Sequence, residues 1–139
     1  MKKLVIALFC CMATTMVFAA DWTLVSDREG VEEYVDYKNV EKNGDLHQLW
    51  TLFNFKARTI RMNKSGDSKN PEYVIAKSIL GHREFDCKNR RYRMLESRGF
   101  DGLMGNGKEV AVYLNKEVIW NPIKAASFED TIYKKVCEK

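Results

Sequence analysis

A chain of 139 residues has the length of one domain. Its composition is 45% hydrophobic, 30% charged and 12% aromatic, with 8 Gly and 2 Pro. That is too apolar for a disordered chain and too poor in Gly and Pro for a fibrous one. A formal charge of +4 excludes coating of a polyanion by bulk charge alone.

The amino terminus reads as an export signal. Lys2 and Lys3 precede an apolar stretch from Leu4 to Phe18, and Val17-Phe18-Ala19 suits signal peptidase, with cleavage expected between Ala19 and Ala20. Fifteen apolar residues are too few for a bilayer crossing, which needs about 20. Cys10 and Cys11 do not make a lipidation site, because Phe9 is too large for the small-residue position before the cysteine. Loss of residues 1–19 removes two lysines and no acid, so the formal charge falls from +4 to +2. The expected location is outside the cytoplasm: periplasm, outer surface or medium.

Two cysteines, Cys87 and Cys137, then remain. In an oxidising compartment an isolated pair is expected as a disulfide. A metal site is not expected, since neither cysteine has another at ligand spacing and His47 and His82 are the only histidines. A cross-link between residues 50 apart constrains the unfolded chain by about 4 kcal/mol in the loop-entropy treatment.

In chain order, Trp22–Val25 and Val31–Tyr37 have strand character around an Asp27–Gly30 turn, and Asn43-Gly44 is a hairpin cue. Leu46–Lys56 is apolar on both alternating faces, which predicts a strand inside the sheet, covered on both sides. Asn63–Pro71 reads as a loop, and Glu72–Asp86 as one long strand with Gly81 as a bulge. Gly99–Gly107, with four glycines, is a loop that lacks the ending of a phosphate-binding P-loop. Glu109–Leu114 and Glu117–Ile123 are expected to close a hairpin around Asn115-Lys116. The last element is helical: Ser127 caps it, Phe128, Ile132 and Val136 form one stripe, and acids precede lysines. The fold class is therefore α+β, mainly an antiparallel β-sheet of about six strands with a C-terminal helix tethered to it by the disulfide.

The conspicuous charge cluster is Lys88, Arg90, Arg91, Arg93 and Arg98. A two-residue loop at Lys88-Asn89 would set Asp86 opposite Arg91 and Glu84 opposite Arg93 on a solvated face, each pair contributing roughly 0.2–1 kcal/mol. The same register sets Phe85, Cys87, Tyr92 and Met94 on the other face. Lys88, Arg90 and Arg98 would remain free for a partner. No nucleophile elbow, paired carboxylates or histidine at fixed spacing marks an enzyme, and no cofactor is expected.

Trp22-Thr23-Leu24-Val25, Glu33-Tyr34-Val35-Asp36, Leu49-Trp50-Thr51-Leu52, Glu84-Phe85-Asp86-Cys87, Arg91-Tyr92-Arg93, Met104-Gly105, Trp120-Asn121-Pro122-Ile123 and Val136-Cys137 occur in an order that resembles the surface-adhesin protein E family. The resemblance covers nearly all of residues 22–137. It implies an antiparallel sheet with a carboxy-terminal helix held to its concave side by the disulfide, possible self-association, and contact with matrix proteins such as laminin and vitronectin. The expected function is a secreted, non-enzymatic binding module with a protein partner and no nucleic acid. The alternative is a periplasmic accessory or inhibitor of another envelope protein. A homodimer is expected because one helix covers only one face of the strand 46–56.

Overall fold

A computed structural model describes residues 20–65 and 68–138 of the chain; the expected signal segment 1–19 lies outside the described residues. Ten strands and one helix follow in order: β1 (Trp22–Arg28), β2 (Val31–Asp36), β3 (Glu41–Asn43), β4 (Leu46–Phe55), β5 (Ile60–Asn63), β6 (Tyr73–Ala76), β7 (Ser78–Asp86), β8 (Arg91–Phe100), β9 (Glu109–Leu114), β10 (Asn121–Pro122) and α1 (Phe128–Val136). All pairings are antiparallel, and the main sheet runs β1-β2-β4-β7-β8-β10. β3 shares the flank of β4 with β2, and β9 shares the flank of β8 with β10. The expected fold class is the observed one, with more and shorter strands than expected.

The apolar periodicity of β4 places it inside the sheet, between β2 and β3 on one side and β7 on the other. Its odd positions face α1. Val35, Leu49, Phe85, Ile123, Ile132 and Tyr133 form the buried core there. Leu49 is opposite Arg83, and the Arg83 side chain, 6% exposed, pairs with Glu129 of the helix at 2.6 Å. Arg83 also donates to the Thr51 hydroxyl and lies among the rings of Phe53, Phe128 and Tyr92. A charge is tolerated at that depth because a carboxylate and a hydroxyl meet its donors.

The helix is capped as its sequence dictates: the Asp130 backbone N–H donates to Ser127 Oγ at 3.1 Å. The Asp130 carboxylate reaches one residue further back than a capping box requires and accepts from the Ala126 N–H at 3.0 Å. Cys137 follows the last helical turn and is bonded to Cys87, with Cα atoms 5.3 Å apart.

Several local expectations are corrected. The Glu29-Gly30 turn has positive φ at both residues, and β1 runs on to Arg28, well past Val25. The β3–β4 turn is Gly44-Asp45, one residue later than the Asn-Gly cue, with Gly44 at φ 59°. The Glu72–Asp86 run is two strands: at Lys77 the backbone bonds to both Phe55 and Phe100, which ends β6 and starts β7. β6 pairs with β5 in a separate two-stranded sheet that packs through Met62 and Ala76 on Ala111, and Gly99 leaves room for the Met62 sulfur. Gly81 sits in regular register; the bulge is on β8, where Leu95 is the extra residue between the His82–Glu96 and Arg83–Met94 pairs. No hairpin joins 109–114 to 117–123. Instead β9 pairs with residues 96–100 of β8 and β10 with residues 91–92, and Asn115 bonds to Leu95 and Met94 carbonyls at the crossing.

The predicted pairs Asp86–Arg91, Phe85–Tyr92 and Glu84–Arg93 are present. The turn, however, has four residues, Cys87–Arg90, because Asn89 folds back to bond both oxygens of Asp86, and Arg90 takes positive φ. We predict that Cys137→Ser lowers stability by about 2–5 kcal/mol; urea midpoints of the variant and of the oxidised and reduced native chain measure it.

Candidate functional site

The face of the sheet away from α1 is the candidate site. Alternation along β4 sends Leu46, Gln48, Trp50 and Leu52 to it, and the register carries Trp22, Tyr34, Asp36, Leu80, His82, Glu84, Asp86, Arg91, Arg93, Glu96, Arg98 and Phe100 to the same side. At one end the face is closed by the 101–108 loop, whose short 3-10 turn (Leu103–Gly105) is tied down by three bonds. The Met104 N–H donates to Asn54 Oδ1, the Gly105 N–H to Ser78 Oγ, and Ser78 Oγ in turn to the Gly102 carbonyl. The glycine segment, expected as a loop, is thus a loop that fastens this end of the sheet.

Beside this loop lies a cleft of about 620 Å³. Trp22, Val40, Trp50, Leu80 and Phe100 form most of its wall, and Asp36, Asn39, Glu41 and Arg98 its polar rim. Trp50 stacks on His82 with ring centroids 4.6 Å apart and planes 8° from parallel. Burial pushes the His82 pKa below its ordinary value, against the opposing pull of Glu41, Glu96 and Glu84. The imidazole is therefore neutral at neutral pH and acts as an extension of the tryptophan surface. Val112 and Leu114 on β9 extend the apolar surface past Arg98 and Glu96 to the sheet edge, and Val118 and Ile119 continue it, all of them exposed.

The charge cluster differs from expectation. Glu84 and Asp86 are buried, at 2% and 4% exposure, so their face is a covered ladder and not a solvated one. Gln48 and Arg93 bond to Glu84, each at 2.6 Å. Asn89, ahead of Arg91, holds the Asp86 pKa below its usual value. The guanidiniums of Arg91 and Arg93 lie 4.6 and 4.9 Å from the ring of Trp120. Of the three residues expected to be free, Arg90 bonds to the buried Asp130, reaches Glu138 at 3.6 Å and lies over Tyr133. Arg98 pairs with Glu96 and with Glu109 at 3.3 Å, on the rim of the cleft. Lys88 is exposed in the Cys87–Arg90 turn. The three are not one patch: Arg90 fastens the helix, and only Arg98 borders the cleft.

On the helix side, His47 Nδ1 lies 3.0 Å from the Val136 carbonyl and 3.4 Å from Cys87 Sγ. Nothing in the sequence spacing links His47 to either cysteine; the pairing of His47 with Phe85 across β4 and β7 does. Trp22, Trp50, Phe100 and Trp120 were equally silent as site residues, and an aromatic at alternate positions of a two-faced strand was the one available signal.

A sheet with one face under a disulfide-pinned helix and the other presenting an aromatic cleft defines a small β domain built to display a surface. The chain belongs to the surface-adhesin protein E family, which matches residues 22–138. Among solved structures it is similar to protein E of Haemophilus influenzae in its selenomethionine form, with 13% identity, a TM-score of 0.55, and 83% of this chain and 92% of that one covered. A second crystal form of the same protein gives 11% identity and a TM-score of 0.53 over 83% and 95%. Protein E from a non-typeable strain gives 12% and 0.51 over 84% of each chain. No curated protein matches in sequence. At these identities the likeness to solved structures is one of fold. Membership of a surface-adhesin family implies an exported or surface location, and among the described residues no helix is long and apolar enough to cross a membrane.

A base with a lowered folded-state pKa is protonated first in the unfolded chain, so His82 makes folding less favourable as pH falls through its ordinary value of 6.5. We predict that stability declines from about pH 7.5 to about pH 5.5, and that His82→Phe, which keeps a ring on Trp50, makes the decline shallower. Urea midpoints across that range read the difference.

Proposed function

We propose that this chain is a non-enzymatic adhesin domain that attaches through its helix-free face to an extracellular-matrix protein, laminin and vitronectin being the partners that the family resemblance names. The observation that carries the reading is the half-buried aromatic wall of the cleft, Trp22, Trp50 and Phe100, continuous with the exposed apolar residues of β9. Large rings at the centre of a patch supply contact area at low entropic cost, which is where binding energy concentrates. Arg98 on the rim is the cation best placed to meet a partner carboxylate; Lys88 is an exposed charge at the far end of β7 and β8, away from the cleft, and Arg90 contributes by holding the helix.

Immobilised laminin and vitronectin, titrated with the chain at physiological salt, test this. Saturable binding below about 10 μM, which is about 7 kcal/mol, is expected. Trp50→Ala is expected to weaken it by about 2 kcal/mol, some 30-fold. Absence of saturable binding overturns the reading.

The edge formed by Val112, Leu114, Val118 and Ile119 further supports self-association, since four exposed apolar side chains in one stretch are costly to leave in water. A dimeric mass is expected in light scattering at high concentration, reverting to a monomer with Leu114→Lys and Ile119→Lys together.

A further inference from the structure

His47, Cys87 and Cys137 arrive from three elements: the start of β4, the turn after β7 and the cap of α1. Their donor atoms all lie within 4.8 Å of one another. His47 Nδ1 and Cys87 Sγ, at 3.4 Å, already have nearly the separation of two ligands on one tetrahedral zinc, about 3.6 Å for ordinary Zn–N and Zn–S bonds. We propose that reduction of the Cys87–Cys137 bridge opens a three-donor site for a soft divalent cation, Zn2+ above all, formed by Cys87 Sγ, Cys137 Sγ and His47 Nδ1.

Closing the site requires little movement. Two thiolates on one zinc stand about 3.8 Å apart, so the sulfurs need only part by about 2 Å. The frame around them does not depend on their bond. Cys87 is held by its N–H to the Asp45 carbonyl at 2.9 Å, and its own carbonyl accepts from the Tyr133 hydroxyl at 2.8 Å. The helix is held separately by Arg83 on Glu129, by Arg90 on Asp130 and by the buried Ile132. Both thiols therefore stay beside the imidazole when the bridge opens.

The donor set, two thiolates and one imidazole, suits zinc, and partial exposure of all three residues leaves the fourth position to water. His47 now carries its proton on Nδ1 and donates it to the Val136 carbonyl; ligation through Nδ1 moves the proton to Nε2 and releases that carbonyl. The chemistry balances with a dithiol as reductant. The dithiol gives two electrons and two protons to the bridge and leaves as a disulfide, and Zn2+ then displaces both protons from the new thiols. Bridge and metal are mutually exclusive, and each closes the same 50-residue loop.

The exported chain, residues 20–139, in which Cys87 and Cys137 are the two cysteines, is reduced with dithiothreitol, desalted without oxygen and titrated with Co2+. One equivalent is expected to produce thiolate-to-cobalt absorption in the near ultraviolet and the visible bands of a tetrahedral ion, both abolished by Zn2+; the oxidised chain is expected to give neither. His47→Asn keeps a donor for the Val136 carbonyl but is a poor ligand, and is expected to weaken Co2+ binding by more than about tenfold, the loss that even an outer-shell change causes. Near-ultraviolet circular dichroism of the reduced chain is expected to gain native signal when Zn2+ is added. A reduced chain without the cobalt–thiolate absorption overturns the proposal, and so does an unchanged affinity in His47→Asn.

Discussion

A nine-residue helix has little stability alone, because nucleation is costly and few bonds repay it. Its position on the sheet is the constraint on which the domain rests, and the bond between Cys87 and Cys137 reinforces what the ion pairs and the core hold. That bond fixes the last turn of α1 to the end of β7, while Arg83 and Glu129 fix the first turn across the middle of the strand. Between these two anchors Ile132 and Tyr133 are drawn onto Leu49 and Phe85, and the core follows. The acid at Asp130 serves the same end. Lys134 and then the Ala126 N–H hold its pKa down, so the charge is kept at the buried site where Arg90 meets it.

Because one face is committed to the helix, the other is left for contact. The contrast is written in β4, whose odd positions make the core and whose even positions present Trp50 beside His82. The buried acids Glu84 and Asp86 also belong to this second face, but they are matched by Arg91 and Arg93 beneath Trp120. A cluster that reads in the sequence as a basic patch is thereby nearly silent electrostatically, and the cleft depends on aromatic surface rather than on net charge.

What the sequence made legible is what local chemistry determines. Ser127, the stripe at Phe128, Ile132 and Val136, and the acid-to-lysine order specify the helix without reference to the rest of the chain. The cross-strand pairs of the 86–91 hairpin could be read because opposite charges sit at matching distances from the turn. The illegible parts are decided by distant partners. Tyr73 to Asp86 is uniformly strand-forming, yet it breaks at Lys77 because Phe55 and Phe100 claim that residue's backbone. The last third of the sheet was misread for the same reason: β8 has an extra residue at Leu95, and the chain after β9 is led along β8 rather than back on itself. His47 meets the sulfurs only because β4 and β7 run side by side, a fact no spacing along the chain contains.

The β5–β6 hairpin seats on the domain through a small apolar patch at Met62, Ala76 and Ala111, and the two strands that lead to its tip share no ladder with the main sheet. Length changes at that tip leave every register of the central strands intact. Related chains are thereby free to diversify this finger, in reach and in charge, while the cleft and the clamped helix stay the same.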